Sequence, residues 1–250
     1  STLHLGHPER AWRALSQWRS SWLSREGVLA IAALLCFGLW SLIGLFGAPP
    51  VLLGWVISAL SLATIFTTSM IYAQLRTVPQ WNSGLTPAVY LAFGLASGLL
   101  LVAGPGSART LAGMPVGAVA ALAVLAAWAI KLAWWRQADL ATLASRGMTV
   151  ESATGLGSIG SVRLFERPHT GENYLTREMV HRIGRKHAVK LRAIALVLGG
   201  LVPAVICALA AIAALDNLVL LAAFLALMAG LVVDRWLFFA EATHSVSLYY

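Results

Sequence analysis

Six apolar runs leave this chain few ways to fold: Gly27–Phe46, Val51–Tyr72, Ala88–Ala103, Met114–Trp135, Leu191–Leu215 and Leu218–Val233. Most approach the ~20 residues an α-helix needs to cross a hydrocarbon layer of ~30 Å. The two short runs can each lengthen by a turn into uncharged or aromatic neighbours. All six are rich in Leu, Ala and Gly without period-2 alternation, so they read as helices and not barrel strands. Composition agrees: 59% of residues are hydrophobic, 11% are charged and mean hydropathy is +0.77, which excludes an ordinary soluble domain. The expected fold is an all-α polytopic membrane protein, one transmembrane helical bundle over residues 1–250. The first run is too long for a signal-peptide core, lacks a small-residue cleavage site and is followed by five more spans.

Six spans bring both ends to one side. That side collects the N-terminal segment, residues 73–87, residues 136–190 and the C-terminal end, and all of the 18 Lys and Arg except Arg109 are assigned to it. Basic loops stay in the cytoplasm, so the expected location is a bacterial inner membrane with the basic face and C-terminal end cytoplasmic. A basic face also suits an acidic partner protein; no nucleic-acid partner is expected. The connection 136–190 is too long for a bundle turn and too short for a typical domain. Its second half sets Leu175, Met179, Ile183 and Leu191 against Arg177, Arg182, Arg185, Lys186 and Lys190, an amphipathic interfacial helix. Anionic lipid and a docked protein are both open as its partner.

Within the spans, Gly113, Gly117 and Ala121 form a row of small residues that invites a neighbouring helix. Pro203, after Gly199 and Gly200, should kink the fifth span. Ser58, Ser61, Thr64, Thr67 and Thr68 should bond to their own helix or a neighbour rather than line a conduction path. Cys36 and Cys207 read as small buried hydrophobes, and two thiols cannot hold an iron–sulfur cluster that usually takes four.

Several motifs carry no chemistry. Gly155, Gly157 and Gly160 match GxGxxG, yet no strand precedes them and there is no room for a βαβ unit. His181 and His187 are wrongly spaced for a helical zinc pair, so no metal site is expected. No histidine lies in the middle of a span and no CxxCH occurs, so haem is not required.

Polar residues gather instead at the basic end. His4, Glu9 and Arg10 precede the first span, Arg25 and Glu26 open it, Tyr72 and Arg76 close the second, and Asp234, Arg235, Glu241 and His244 end the sixth. Arg13, Trp18, Arg19 and Trp22 read as interfacial anchors. Glu26 is different, since a carboxylate at the mouth of an apolar helix gains nothing from lipid. His4 and Glu26 together suit a proton relay.

The runs LHLGHPERAWRAL with SWLSREGVLA, IYAQLRTVPQWNSGLTP, and RWLFFAEATHSVSLYY resemble the membrane anchor subunits (DmsC/NrfD-like) of dimethyl-sulfoxide-reductase-type molybdoenzymes. That resemblance implies a complex with a molybdopterin catalytic subunit and an iron–sulfur subunit, the latter docked on the basic face. The family's anchor has eight helices, which implies a chain lacking the first two. It also implies electron exchange with a membrane quinone, ubiquinone or menaquinone, as bound substrate, with no haem or iron–sulfur cluster in this chain. The family's quinone-linked positions map onto His4, Gly6, Arg10 and Glu26; Trp12 and Arg13 depart from the family's residue types.

The expected mechanism is therefore proton-coupled quinone chemistry, with His4 and Glu26 as the catalytic residues. Gly6, Arg10, Tyr72 and Arg76 complete the quinone-binding set. In the sulfoxide reductases of this family the catalytic subunits face the periplasm, whereas in the quinone-linked sulfite dehydrogenases they face the cytoplasm. Charge and the PHTGENYLTREM loop favour the second branch: sulfite oxidation feeding quinone, with a quinol-oxidising sulfoxide or N-oxide reductase anchor as the alternative. A transporter subunit would show interrupted helices and paired charges deep in the membrane, and neither is evident in the sequence. A purely structural anchor is the remaining possibility.

Overall fold

The computed structural model describes residues 6–104, 110–111, 113–163, 165–166, 185–213 and 215–249. It contains six helices long and apolar enough to cross a membrane: α1 Trp22–Phe46, α2 Val51–Ala73, α3 Leu85–Ala103, α4 Val116–Leu140, α5 Ala188–Ile212 and α6 Val219–Ala240. The all-α, six-span reading holds, but most spans run further into polar sequence than the apolar runs. Helix α1 already starts at Trp22, because the Ser21 hydroxyl accepts the Ser24 N–H at 3.4 Å and caps it. Glu26 therefore lies inside the first turns of α1 and not at its mouth. Likewise α4 continues through Arg136, Gln137 and Asp139, and α6 through Asp234 and Arg235.

The chain packs as two compact units, residues 1–74 and 75–250. In the first, α1 and α2 form a helical hairpin joined by residues 47–50. Helix α1 buries only Ser24, while Leu34, Leu35, Leu45 and Phe46 face outward. A helix that is apolar all round is a lipid-facing helix. The α2 hydroxyls mostly bond within their helix: Ser58 to the Gly54 carbonyl, Thr64 to Leu60 and Thr67 to Ala63. Ahead of α1, a 3₁₀ turn Pro8–Arg10 and a single α turn Arg13–Ser16 fold back along the helix start. The Ser24 hydroxyl donates to the Ala14 carbonyl, and Arg25 donates to the Trp18 and Arg19 carbonyls at 2.9 and 2.6 Å.

In the second unit, α3 to α6 enclose a core that includes Ala96, Leu100, Val124, Trp128, Leu227 and Leu237. Gly113 is not on α4: it sits at φ +78 in the turn between two-residue strands Thr110–Leu111 and Met114–Pro115. The row of small residues on α4 thus shrinks to Gly117 and Ala121, and a Cβ on Gly117 would meet the Cys207 carbonyl oxygen on α5 at 2.6 Å. A second close crossing pairs Gly199 of α5 with Gly230 of α6.

Just ahead of Pro203, α5 carries a π-helical turn, Val197–Leu201. Pro203 has no N–H for the Gly199 carbonyl, and the Trp128 indole of α4 supplies that bond. The amphipathic stretch of the long connection falls mostly on residues 167–184, outside the described residues. Its described start holds a short helix Val150–Thr154 with a Thr149/Ser152 capping box, ended by Gly155 at φ +71.

Candidate functional site

Glu26 is the best-defined of the expected site residues. It projects from α1 within the first unit, half-buried, and its Oε1 accepts a hydrogen bond from the Thr68 hydroxyl of α2 at 2.7 Å. Thr68 is one step from the end of a row of hydroxyls, and it is the one that reaches across to another helix. Tyr72 lies one turn beyond it, half-buried near the α2 C-terminus. His4 lies outside the described residues. Gly6 is exposed, with no atom within 4 Å of where a Cβ would stand. Arg10 is exposed and 3.8 Å from Glu9, which also pairs with His7 at 3.0 Å. Arg76 belongs to the second unit, exposed in the turn after α2.

The second unit holds a polar feature absent from the expected site residues. Lys131 of α4 and Asp234 of α6 form an ion pair at 2.8 Å, both side chains fully buried. Lys131 stands nine residues before the end of α4 and Asp234 six before the end of α6, which puts them roughly 9–14 Å in from the helix ends. Paired charges within the spans are thus present, contrary to the sequence-based expectation, and Lys131 is not one of the loop charges.

An aromatic cage encloses the pair. Lys131 Nζ lies 4.1 Å from the Trp134 ring centroid, 5.3 Å from Trp135 and 6.0 Å from Phe238. Asp234 also meets Arg235 at 3.4 Å, and that guanidinium rests on the rings of Tyr90 and Phe238 at 4.5 and 4.6 Å. A cation against an aromatic face recovers part of the hydration it loses on burial. The cage is further fixed by hydrogen bonds from the Trp81 indole to the Phe238 carbonyl at 2.9 Å and from the Trp134 indole to the Thr86 hydroxyl at 3.0 Å.

Toward the loop end of the same helices lies a second charged layer. Arg192 of α5 forks onto both oxygens of Asp139, at 2.9 and 2.7 Å, and onto Glu241 at 2.9 and 3.1 Å. A bidentate fork of this kind suits a guanidinium and not an ammonium. Beside it is a cavity of about 200 Å³ whose wall includes Gln80, Trp134, Arg192, Phe238 and Glu241. Among the described residues, no group of three or more His, Cys, Asp or Glu side chains is assembled to hold a metal.

Six apolar helices, whose described charges gather near polar helix ends apart from one buried pair, are the architecture of a multi-pass membrane protein. The profile of the DMSO reductase anchor subunit family (DmsC) matches residues 1–240, and the chain belongs to that family. It is 35% identical over 268 aligned residues to a sulfite dehydrogenase subunit of Allochromatium vinosum, covering 100% of this chain and 80% of the relative. It is 36% identical over 107 residues to the anaerobic dimethyl sulfoxide reductase chain YnfH of Escherichia coli, covering 41% of this chain and 37% of that one. No solved structure matches the chain.

Proposed function

We propose that this chain carries electrons between an iron–sulfur partner subunit and membrane quinone, as the anchor of a molybdoenzyme that oxidises sulfite. The observation that carries the reading is Glu26, a carboxylate held inside an apolar span by the Thr68 hydroxyl at 2.7 Å. Ionisable groups inside spans default to function, because lipid offers them no compensation.

Reducing a quinone consumes two electrons and two protons, so the site needs a proton donor that is stable in both charge states. Thr68 has one hydroxyl hydrogen and two acceptors in reach, Glu26 Oε1 at 2.7 Å and the Thr64 carbonyl at 2.9 Å. With Glu26 ionised, the hydroxyl donates to the carboxylate. With Glu26 protonated, the acid donates to the Thr68 oxygen and the hydroxyl turns to Thr64. Both states remain hydrogen-bonded, as a proton-passing residue requires. In this reading His4 shares the proton traffic with Glu26, while Gly6, Arg10 and Tyr72 complete the head-group site. The iron–sulfur subunit docks on the basic face, including the connection 136–190. A molybdopterin catalytic subunit lies beyond it, and the basic face is cytoplasmic in a bacterial inner membrane.

Sulfite as electron donor is supported by the relative whose alignment covers the whole chain. A quinol-oxidising sulfoxide reductase anchor is the second reading, favoured by the likeness to YnfH over 41% of the chain. Glu26→Gln and His4→Ala in the purified complex test the site. Quinone-linked turnover should fall by about 10²-fold, the usual scale of a lost acid–base group, while oxidation of sulfite with a soluble acceptor is retained. Unchanged quinone-linked turnover in both variants would remove the site. A reporter fused after Tyr250 that is active only in the periplasm would favour the sulfoxide reductase reading.

A further inference from the structure

We infer that the Lys131–Asp234 pair is a buried proton-exchange site, entered from the loop end of α4, α5 and α6 through the cavity above Trp134 and Phe238. The inference stands on the second unit alone and does not depend on where quinone binds.

The charged groups form two layers on the same pair of helices. Lys131 and Asp139 are eight residues apart on α4, and Asp234 of α6 is seven residues before Glu241, which caps that helix, about two turns in each case. The inner layer is Lys131, Asp234 and Arg235, with the Tyr90 phenol of α3 under the Arg235 guanidinium. The outer layer is Asp139, Glu241 and Arg192 of α5. Formal charges sum to one positive inside and one negative outside, so the mouth attracts protons that the inner layer repels. Trp134 and Phe238 face the inner layer and also wall the cavity, so a single aromatic layer separates that cavity from Lys131.

A purely structural ion pair would be expected to use all its hydrogen-bonding capacity, since an unmet buried polar group is costly. Here the 2.8 Å contact is close but poorly directed. Lys131 Nζ, Asp234 Oδ1 and the neighbouring Trp135 Nε1 are all buried without a directed hydrogen bond. An ammonium and a carboxylate in contact, with spare hydrogen-bonding capacity and one aromatic layer from a polar cavity, are suited to exchange.

The step balances as simple proton transfer. A hydronium in the cavity gives up one O–H bond as an O–H bond forms on the Asp234 carboxylate, leaving a water and a neutral acid beside the Lys131 ammonium. Release reverses the step: the acid returns its proton to water, and the ionised carboxylate is restored beside the ammonium.

The test is infrared difference spectroscopy of the assembled complex in lipid vesicles after a pH step. The expected result is a protonated-carboxyl band that appears in the wild type and shifts in D₂O. The band should be lost in Asp234→Asn, altered in Lys131→Met and kept in Asp216→Asn, a loop carboxylate. Its rise should slow in Glu241→Gln, which removes a charge at the mouth. No titrating carboxyl band in the wild type, at any pH where the complex stays assembled, would overturn the proposal without any variant. A band that persists in Asp234→Asn, or in the Lys131→Met/Asp234→Asn double variant that removes both charges together, would do the same.

Discussion

The Trp128 indole N–H donates to the Gly199 carbonyl oxygen at 2.5 Å, the oxygen four residues before Pro203 that an α-helical N–H at position 203 would serve. The π-helical turn of α5 and the aromatic row of α4 are thus joined by a side-chain bond that replaces a missing main-chain one. In a span, an orphaned carbonyl has no water to turn to. Trp128→Phe should lower stability by about 0.6–1.7 kcal/mol, the scale of one interhelical hydrogen bond in a membrane protein. Replacing Pro203 by Ala restores the backbone N–H, so the cost of Trp128→Phe should shrink in the Pro203→Ala background. A double-mutant cycle read by denaturant unfolding in micelles measures this coupling. Strict additivity would show that the indole bond does not substitute for the backbone donor.

The α5–α6 crossing is set by the absence of side chains. A Cβ on Gly230 would stand 2.3 Å from the Gly199 Cα and 2.8 Å from the Ala195 carbonyl, all of it backbone that cannot swing away. Gly98 on α3 meets nothing within 4 Å. Gly230→Ala should therefore sharply reduce the yield of folded protein, whereas Gly98→Ala should be neutral or stabilising by up to about 1 kcal/mol from helix propensity. Equal yields for both variants would show that the helices separate without penalty.

Arg192 holds Asp139 and Glu241 together with its side chain only 23% exposed. Arg192→Met leaves two carboxylates facing each other and should cost about 1–2 kcal/mol once solvent screening is allowed for. Arg192→Lys keeps the charge and loses the fork, so it should fall between the two. Thermal unfolding of the three proteins in one detergent makes the comparison, and a lysine variant as weak as the methionine one would show that geometry, not charge, matters.

Much of this architecture is legible in the sequence because lipid demands long apolar helices, and the six runs are unmistakable. The helix ends are less legible, since Ser21 capping and polar last turns extend helices past the point where hydropathy falls. That extension moves Glu26 inside α1. Lys131 escapes a hydropathy reading for a related reason: it lies close to Trp134 and Trp135 and so counts with the loop charges. Its position inside an apolar run, together with Asp234 spaced seven residues from Glu241, is the available signal. What no one-dimensional pattern supplies is helix pairing and rotational phase, so nothing ties Lys131 to Asp234 until α4 and α6 are packed. Pro203 announces a kink, but not the indole that satisfies it.

Glu151 gives the connection after α4 a pH dependence. Its carboxyl is held below its ordinary value, chiefly by its own backbone N–H, then by the Thr149 side chain and the Val162 N–H. The last of these bonds, at 3.2 Å, ties the short helix Val150–Thr154 to the chain eleven residues on. A depressed carboxyl pKa means that the ionised form is favoured in the folded loop. Its contribution is then fully present above the ordinary carboxylate value and is lost as pH falls through the lower folded value. Hydrogen exchange of the Val162 amide, corrected for intrinsic rate, should show protection at neutral pH that fades on the acid side. Glu151→Gln keeps an acceptor but removes the charge, so its protection should be lower at neutral pH and flat across the same range. An acid-side loss of equal size in Glu151→Gln would assign the transition to another group.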